Sequence, residues 1–158
     1  MFTRPVLHRH VRQTQPRLAH SHDLEHLPMH TVLLVEDNQF NRMLMQDIFM
    51  LDDLPAELVS AESAEEALEL APVLQPALIL LDVRLPGIDG LEATRRLKQD
   101  PVTKDIPVWA LTAHAMLPDR DRALAAGCAA YITKPFHVTE LVGRLREFLA
   151  GRVLLEAR

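Results

Sequence analysis

The feature that most limits how this chain can fold is a repeated alternation of two kinds of segment. Five short apolar runs, Val32–Val35, Glu57–Ala61, Leu78–Leu81, Val108–Leu111 and Ala129–Ile132, are separated by longer stretches with helical spacing. Continuous apolar runs of this length suit strands buried on both faces, as in a parallel sheet covered by helices. The intervening stretches carry helix signals of their own. Ser63-Ala64-Glu65-Glu66 is a capping box, with Ser63 placed to accept from the Glu66 amide and Glu66 to reach back. Leu141, Val142, Leu145, Phe148 and Leu149 form one apolar helical face, and Gly127 stands where the fourth helix should end. Five strands alternating with five helices predict a doubly wound α/β domain with a parallel sheet.

The alternation occupies residues 30–150. Residues 1–29 differ in kind: they hold His8, His10, His20, His22 and His26, four arginines, and only Asp23 and Glu25 as acids. This segment reads as a disordered His/Arg-rich tail, and its histidine spacing matches no closed metal-ligand set. Met29 also offers a start directly before the ordered part. Residues 151–158 are expected to be a C-terminal tail or an extension of the last helix, with no output domain after them. Hydrophobic residues at 48% and charged residues at 25% describe an ordinary globular chain with one real core. The formal net charge of −5 does not point to a nucleic-acid surface. The longest strongly apolar stretch, Ala77 to Leu81, ends at once in Asp82, so neither a membrane span nor a secretory leader is expected. One cysteine, Cys128, rules out an internal disulfide and reads as a small core residue. A cytoplasmic location is expected.

Chemistry collects where the strands run out. The first apolar run leads into Glu36-Asp37, the third into Asp82, the fourth into Thr112, and the fifth towards Lys134-Pro135. Ligands of open parallel sheets bind outside the carboxyl ends of the strands, so these side chains are expected along one edge. Each acid taken alone is an ordinary solvated loop residue. Together, three carboxylates, a hydroxyl and an ammonium form a complementary set. Clustered carboxylates repel one another unless a cation joins them, and hard oxygen donors suit Mg²⁺, or Mn²⁺ in its place. A phosphoryl group on one carboxylate would be stabilised by that cation, by Lys134 and by the Thr112 hydroxyl. Asp82 is then a carboxylate nucleophile that forms an aspartyl phosphate.

Four motifs, in order and at fitting distances, carry a family resemblance. They are Val-Glu-Asp-Asn at 35–38, Leu-Leu-Asp-Val-Arg-Leu-Pro-Gly-Ile-Asp-Gly at 80–90, Ala-Leu-Thr-Ala at 110–113 and Tyr-Ile-Thr-Lys-Pro-Phe at 131–136. Over roughly residues 30 to 150 the chain resembles the CheY-like receiver domain of response regulators, in particular stand-alone receivers of the DivK type and those of hybrid kinases. The resemblance implies the flavodoxin-like strand order 2-1-3-4-5. It implies that Asp82 accepts the phosphoryl group from a phosphohistidine of a sensor histidine kinase or histidine phosphotransferase. It implies a metal site of Asp37, Glu36 through water, Asp82 and the backbone carbonyl of Arg84. Lys134 would contact the phosphoryl oxygens, Thr112 would move towards them, and Tyr131 would swing inward behind it. The Lys134–Pro135 peptide is expected to be cis, and Asp89-Gly90 to start the third helix. From their places two residues beyond Asp82 and Thr112, Arg84 and His114 would flank the phosphoryl group and tune its lifetime, or else are two exposed polar side chains; Ala113 is small and should leave the group accessible.

A downstream protein would read the state from the face of the fourth helix, fifth strand and fifth helix, with the domain a monomer or a phosphorylation-linked dimer. Direct nucleic-acid or membrane contact is not expected. Two other readings compete. A constitutive receiver-like binding module would not need the complete acid, Thr and Lys set. A Mg²⁺-dependent phosphohydrolase would carry a second acid where Arg84 stands. Trp109, Met43, Met45 and Met50 are expected in the core.

Overall fold

The computed structural model describes residues 30–113 and 116–156, with side chains to residue 152. The segment 1–29 and His114 lie outside the described residues. Ten elements alternate along the chain: β1 (His30–Val35), α1 (Gln39–Leu51), β2 (Ala56–Ala61), α2 (Ala64–Leu74), β3 (Leu78–Asp82), α3 (Gly90–Gln99), β4 (Val108–Thr112), α4 (Leu117–Ala126), β5 (Ala130–Thr133) and α5 (Val138–Glu156). Every strand pair is parallel, in the order β2-β1-β3-β4-β5. The doubly wound α/β architecture is therefore as expected. β1 begins two residues before its apolar run, because the hydrogen-bond ladder with β2 continues through His30 and Thr31. α5 runs through residue 150 without a break.

Two cores follow from the period-two alternation of the strands. Leu33, Val35, Ile79, Leu81, Val108 and Ala110 face α2, α3 and α4, meeting Ala67, Ala71, Leu91, Leu97 and Ala123. Val32, Leu34, Leu78, Leu80, Trp109 and Leu111 face α1 and α5, meeting Ile48, Phe49, Leu141, Leu145 and Leu149. β3 at the centre is buried along its whole length, which is why its sequence reads as unbroken leucine and isoleucine. Each fully buried leucine contributes roughly 1.5–3 kcal/mol of hydrophobic stabilisation.

The helix ends are made locally. Ser63 Oγ accepts from the Glu66 amide at 3.1 Å, and Glu66 Oε2 reaches back to the Glu62 amide at 2.7 Å, one residue before the cap. Gly127 closes α4 at φ 109°, and the amides of Gly127 and Cys128 donate to the carbonyls of Leu124 and Ala123. Cys128 is buried, with its Sγ 3.7 Å from Thr94 Oγ1. Met45 and Trp109 are core residues, but Met43 and Met50 are 55% and 71% exposed, which corrects the expectation for them. They lie on the outward side of α1, away from the Met45, Ile48 and Phe49 face that packs on the sheet. No described helix is long and apolar enough to cross a membrane.

Candidate functional site

The sheet order sets which strand ends become neighbours. β1 pairs with β3, with Val35 opposite Leu81, so the next step places Glu36 beside Asp82. β3 pairs with β4, with Asp82 opposite Leu111, and β4 with β5, with Thr112 opposite Thr133. Glu36, Asp37, Asp82, Thr112 and Lys134 thus share one edge, although they come from four separate strand ends. The Glu36 amide donates to Ala61 O at 3.1 Å, and the Lys134 amide to Thr112 O at 2.7 Å, which seats both turns on the sheet. The Lys134–Pro135 peptide is cis.

Glu36 and Asp82 are buried and Asp37 is exposed. One carboxylate oxygen from each of the three lies within 4.8 Å of the others. Lys134 Nζ donates to Glu36 Oε2 at 2.6 Å and to Asp82 Oδ2 at 2.7 Å. The second oxygens are also engaged: Glu36 Oε1 accepts from the Asn38 amide at 3.0 Å, and Asp82 Oδ1 from the Arg84 amide at 2.8 Å. Burial pushes the Glu36 carboxyl up, but Lys134 and the Asn38 amide outweigh it and hold the group below its ordinary value. For Asp82 burial wins over Lys134 and the Arg84 amide, and its carboxyl is raised. Burial would lower the Lys134 ammonium, but the two carboxylates hold it above its ordinary value. Lys134 therefore keeps its charge.

The loop between β3 and α3 is built around Asp82. The Gly90 amide donates to Val83 O, and a Cβ at Gly90 would fall 2.2 Å from the Asp82 carbonyl oxygen. Only glycine permits that approach. Asp89 caps α3 through its Oδ1 on the Glu92 amide. Glu65 on α2 accepts from the Ile88 amide at 3.1 Å and bears on Gly87, which adopts φ 77°. On the outer side of this loop, Asp37, Arg84, Asp89, Thr112, Asp119 and Arg122 line an open cleft of about 810 Å³. Ala113 is exposed beside the site.

Tyr131 stands apart from the carboxylates. Its ring packs against the α2–α3–α4 core and lies under Arg120, whose Cζ is 5.7 Å from the ring centre. Arg144 Nη1 donates to Tyr131 O at 3.4 Å, and its guanidinium covers Trp109. Arg120, Tyr131, Phe136, Glu140 and Arg144 line a cleft of about 470 Å³ on the α4–β5–α5 face.

Sequence reasoning passed over two features. Arg42, present in the Glu-Asp-Asn-Gln-Phe-Asn-Arg run, grips the turn that carries Glu36 and Asp37. α1 also exposes Phe40, Met43, Leu44, Met50 and Leu51, beginning beside the acidic edge. Phe40, Met43 and Leu44 recur at helical spacing on the side away from the core, and that spacing was the available signal.

The donor set fits Mg²⁺: three hard carboxylates converge, and the exposed one leaves a side open to solvent. Known proteins point the same way. The polar-differentiation response regulator DivK of Brucella ovis is 40% identical over 119 residues, which are 75% of this chain and 95% of that protein. The receiver domain of the sensor histidine kinase PA1611 of Pseudomonas aeruginosa, with a magnesium ion coordinated in its active site cleft, is 32% identical. It superposes with a TM-score of 0.69 over 77% of this chain and 98% of that one. The chemotaxis protein CheY4 of Vibrio cholerae gives a TM-score of 0.69 at 26% identity, over 76% of this chain and 98% of that one. The profile of the response regulator receiver domain matches residues 32–146. The chain belongs to the response regulator receiver domain family, the signal-receiving unit of two-component systems.

Proposed function

We propose that this receiver is a phosphorylation switch in which Asp82 takes a phosphoryl group from a phosphohistidine. The observation that carries the reading is the convergence of three carboxylates with Lys134 Nζ, 2.6 and 2.7 Å from Glu36 and Asp82. An oxygen of Asp82 attacks phosphorus, the P–N bond to the donor imidazole breaks, and the imidazole nitrogen keeps the electron pair and takes up a proton. Asp37, Asp82, the Arg84 carbonyl and, through water, Glu36 would hold Mg²⁺, which supplies positive charge against the phosphoryl oxygens. Lys134, already at Asp82, moves its ammonium onto those oxygens and stays charged throughout. The Thr112 hydroxyl closes from the neighbouring strand end, and Tyr131 leaves Arg120 to fill the space behind it. That movement reshapes the α4–β5–α5 cleft, which a downstream protein reads by binding one state better than the other. Arg84 and Ala113 flank the path of attacking water and set the lifetime of the phosphorylated state, and His114, two residues beyond Thr112 in the sequence, is proposed for the same role.

The exposed Phe40, Met43 and Leu44 of α1 give the donor, a histidine kinase or phosphotransferase, an apolar seat beside the acidic edge. The test is incubation with Mg²⁺ and a small acyl phosphate, followed by intact mass. One added phosphoryl group in the wild type, absent in Asp82→Asn and absent without Mg²⁺, is the expected result. If neither acyl phosphate nor beryllofluoride changes the mass or the Tyr131 environment, the domain is a constitutive binding module instead.

A further inference from the structure

Arg42 projects from the first turn of α1 back onto the loop that carries the acidic pair. Its Nη1 donates to the carbonyl of Glu36 at 3.0 Å and to that of Asp37 at 2.8 Å. Its Nη2 donates to Glu62 Oε1 at 2.8 Å. The guanidinium is mostly buried, while the Glu62 carboxylate is largely exposed. Glu62 is itself fixed by the start of α2, where its amide is taken by Glu66 Oε2. The β1–α1 turn is thereby tied to the β2–α2 corner at two places, by Arg42 and by the bond from the Glu36 amide to Ala61 O.

The way Arg42 bonds matters for the chemistry of the cluster. An arginine so close to three carboxylates would ordinarily pair with them and fill the cation position. Here Nη1 bonds two backbone carbonyls and Nη2 a carboxylate outside the cluster. Arg42 therefore holds the backbone of the acidic turn without itself occupying the carboxylates of the cluster. A planar, rigid fork is suited to this task, since it fixes both carbonyls in one geometry, whereas an ammonium is a mobile point charge.

We propose that Arg42, anchored by Glu62, is the positioning residue that holds the Glu36–Asp37 turn ready for a divalent cation. The role rests on the metal reading given under Proposed function and adds to it a residue outside the ligand set. Partners that orient ligands of a metal site commonly change affinity by tenfold or more when removed.

The test is a Mg²⁺ titration of the full chain by calorimetry, with amide hydrogen exchange of the metal-free protein alongside. Arg42→Ala is expected to weaken Mg²⁺ roughly tenfold, and to speed exchange at residues 36–38. Arg42→Lys should recover only part of the loss. Glu62→Gln, on a side chain that is largely exposed, should weaken Mg²⁺ in the same direction but by less than Arg42→Ala. Thr103→Val, which removes a buried hydroxyl bonded to Leu97 O far from the site, serves as the destabilised control and should bind Mg²⁺ like the wild type. Should Arg42→Ala not fold, Glu62→Gln carries the decision. Unchanged affinity in whichever of the two decides, or an equal loss in Thr103→Val, overturns the role of Arg42 alone. A wild type that binds no Mg²⁺ overturns the metal reading together with it.

Discussion

Replacing Lys134 with methionine keeps a side chain of similar length and removes its charge. In the wild type that charge serves two carboxylates at once, through bonds of 2.6 and 2.7 Å. The Glu36 and Asp82 side chains are 3% and 12% exposed, so water replaces little of what is lost. Breaking a buried ion pair by removing one partner costs about 3–5 kcal/mol. The Lys134 side chain is 21% exposed, so the contact is partly wet, which points to the lower end of that range, about 3 kcal/mol. Urea unfolding in metal-free buffer measures this. Its reporter is Trp109, the single tryptophan, buried with its ring edge-on to Phe148 at 5.3 Å.

The deficit should depend on pH. Lys134 is a leading reason that the Glu36 carboxyl lies below its ordinary 4.5. A carboxyl lowered on folding adds stability above its ordinary value and loses it as pH falls through the lowered one. Asp82 is raised on folding even with Lys134 present, so its ionisation already opposes folding as pH rises, and it does so more without the lysine. Both effects make the wild type's advantage greatest near neutrality and shrink it as falling pH protonates the two carboxylates. Mg²⁺ at neutral pH should rescue the variant more than the wild type, because no ammonium competes for the carboxylates. A deficit below about 1 kcal/mol, or one that stays constant from pH 7 to pH 4, would refute the assignment of Lys134 as the counter-charge of the pair.

Three further outcomes are expected. Gly90→Ala drives a Cβ to 2.2 Å from the Asp82 carbonyl, so it should destabilise by about 3 kcal/mol in urea unfolding and abolish phosphoryl incorporation by intact mass. Ser63→Ala removes the cap of α2 and should cost about 1 kcal/mol in the same unfolding assay, with incorporation unchanged. Phe40→Ser alters a side chain that is 78% exposed, so unfolding should shift by less than about 0.5 kcal/mol, while transfer from a phosphohistidine donor slows and transfer from acyl phosphate does not.

Much of this molecule is decided locally, and that part was legible in the sequence. A strand buried on both faces must be apolar throughout, so Leu78–Leu81 announces itself without reference to any other segment. The cap at Ser63 and the glycine stop at Gly127 involve residues within five positions of one another, and both read directly. The chemical set was visible for the same reason: each of Glu36, Asp37, Asp82, Thr112 and Lys134 stands at or just past a strand end, and parallel strands deliver their ends to one edge.

What the sequence by itself did not determine are the features that depend on which surfaces meet. Met43, Met45 and Met50 are the same residue type within one helix, yet only Met45 is buried, because packing on the sheet selects a single side of α1. The bond from Arg42 to Glu62, 20 positions apart, exists because β1 lies beside β2, and that from Lys134 to Glu36, 98 apart, because β1, β3, β4 and β5 follow one another across the sheet and bring their ends to one edge. Periodicity is a property of a segment and is written in it. The distance between two segments is a property of strand order and register, and arises only once the sheet has assembled.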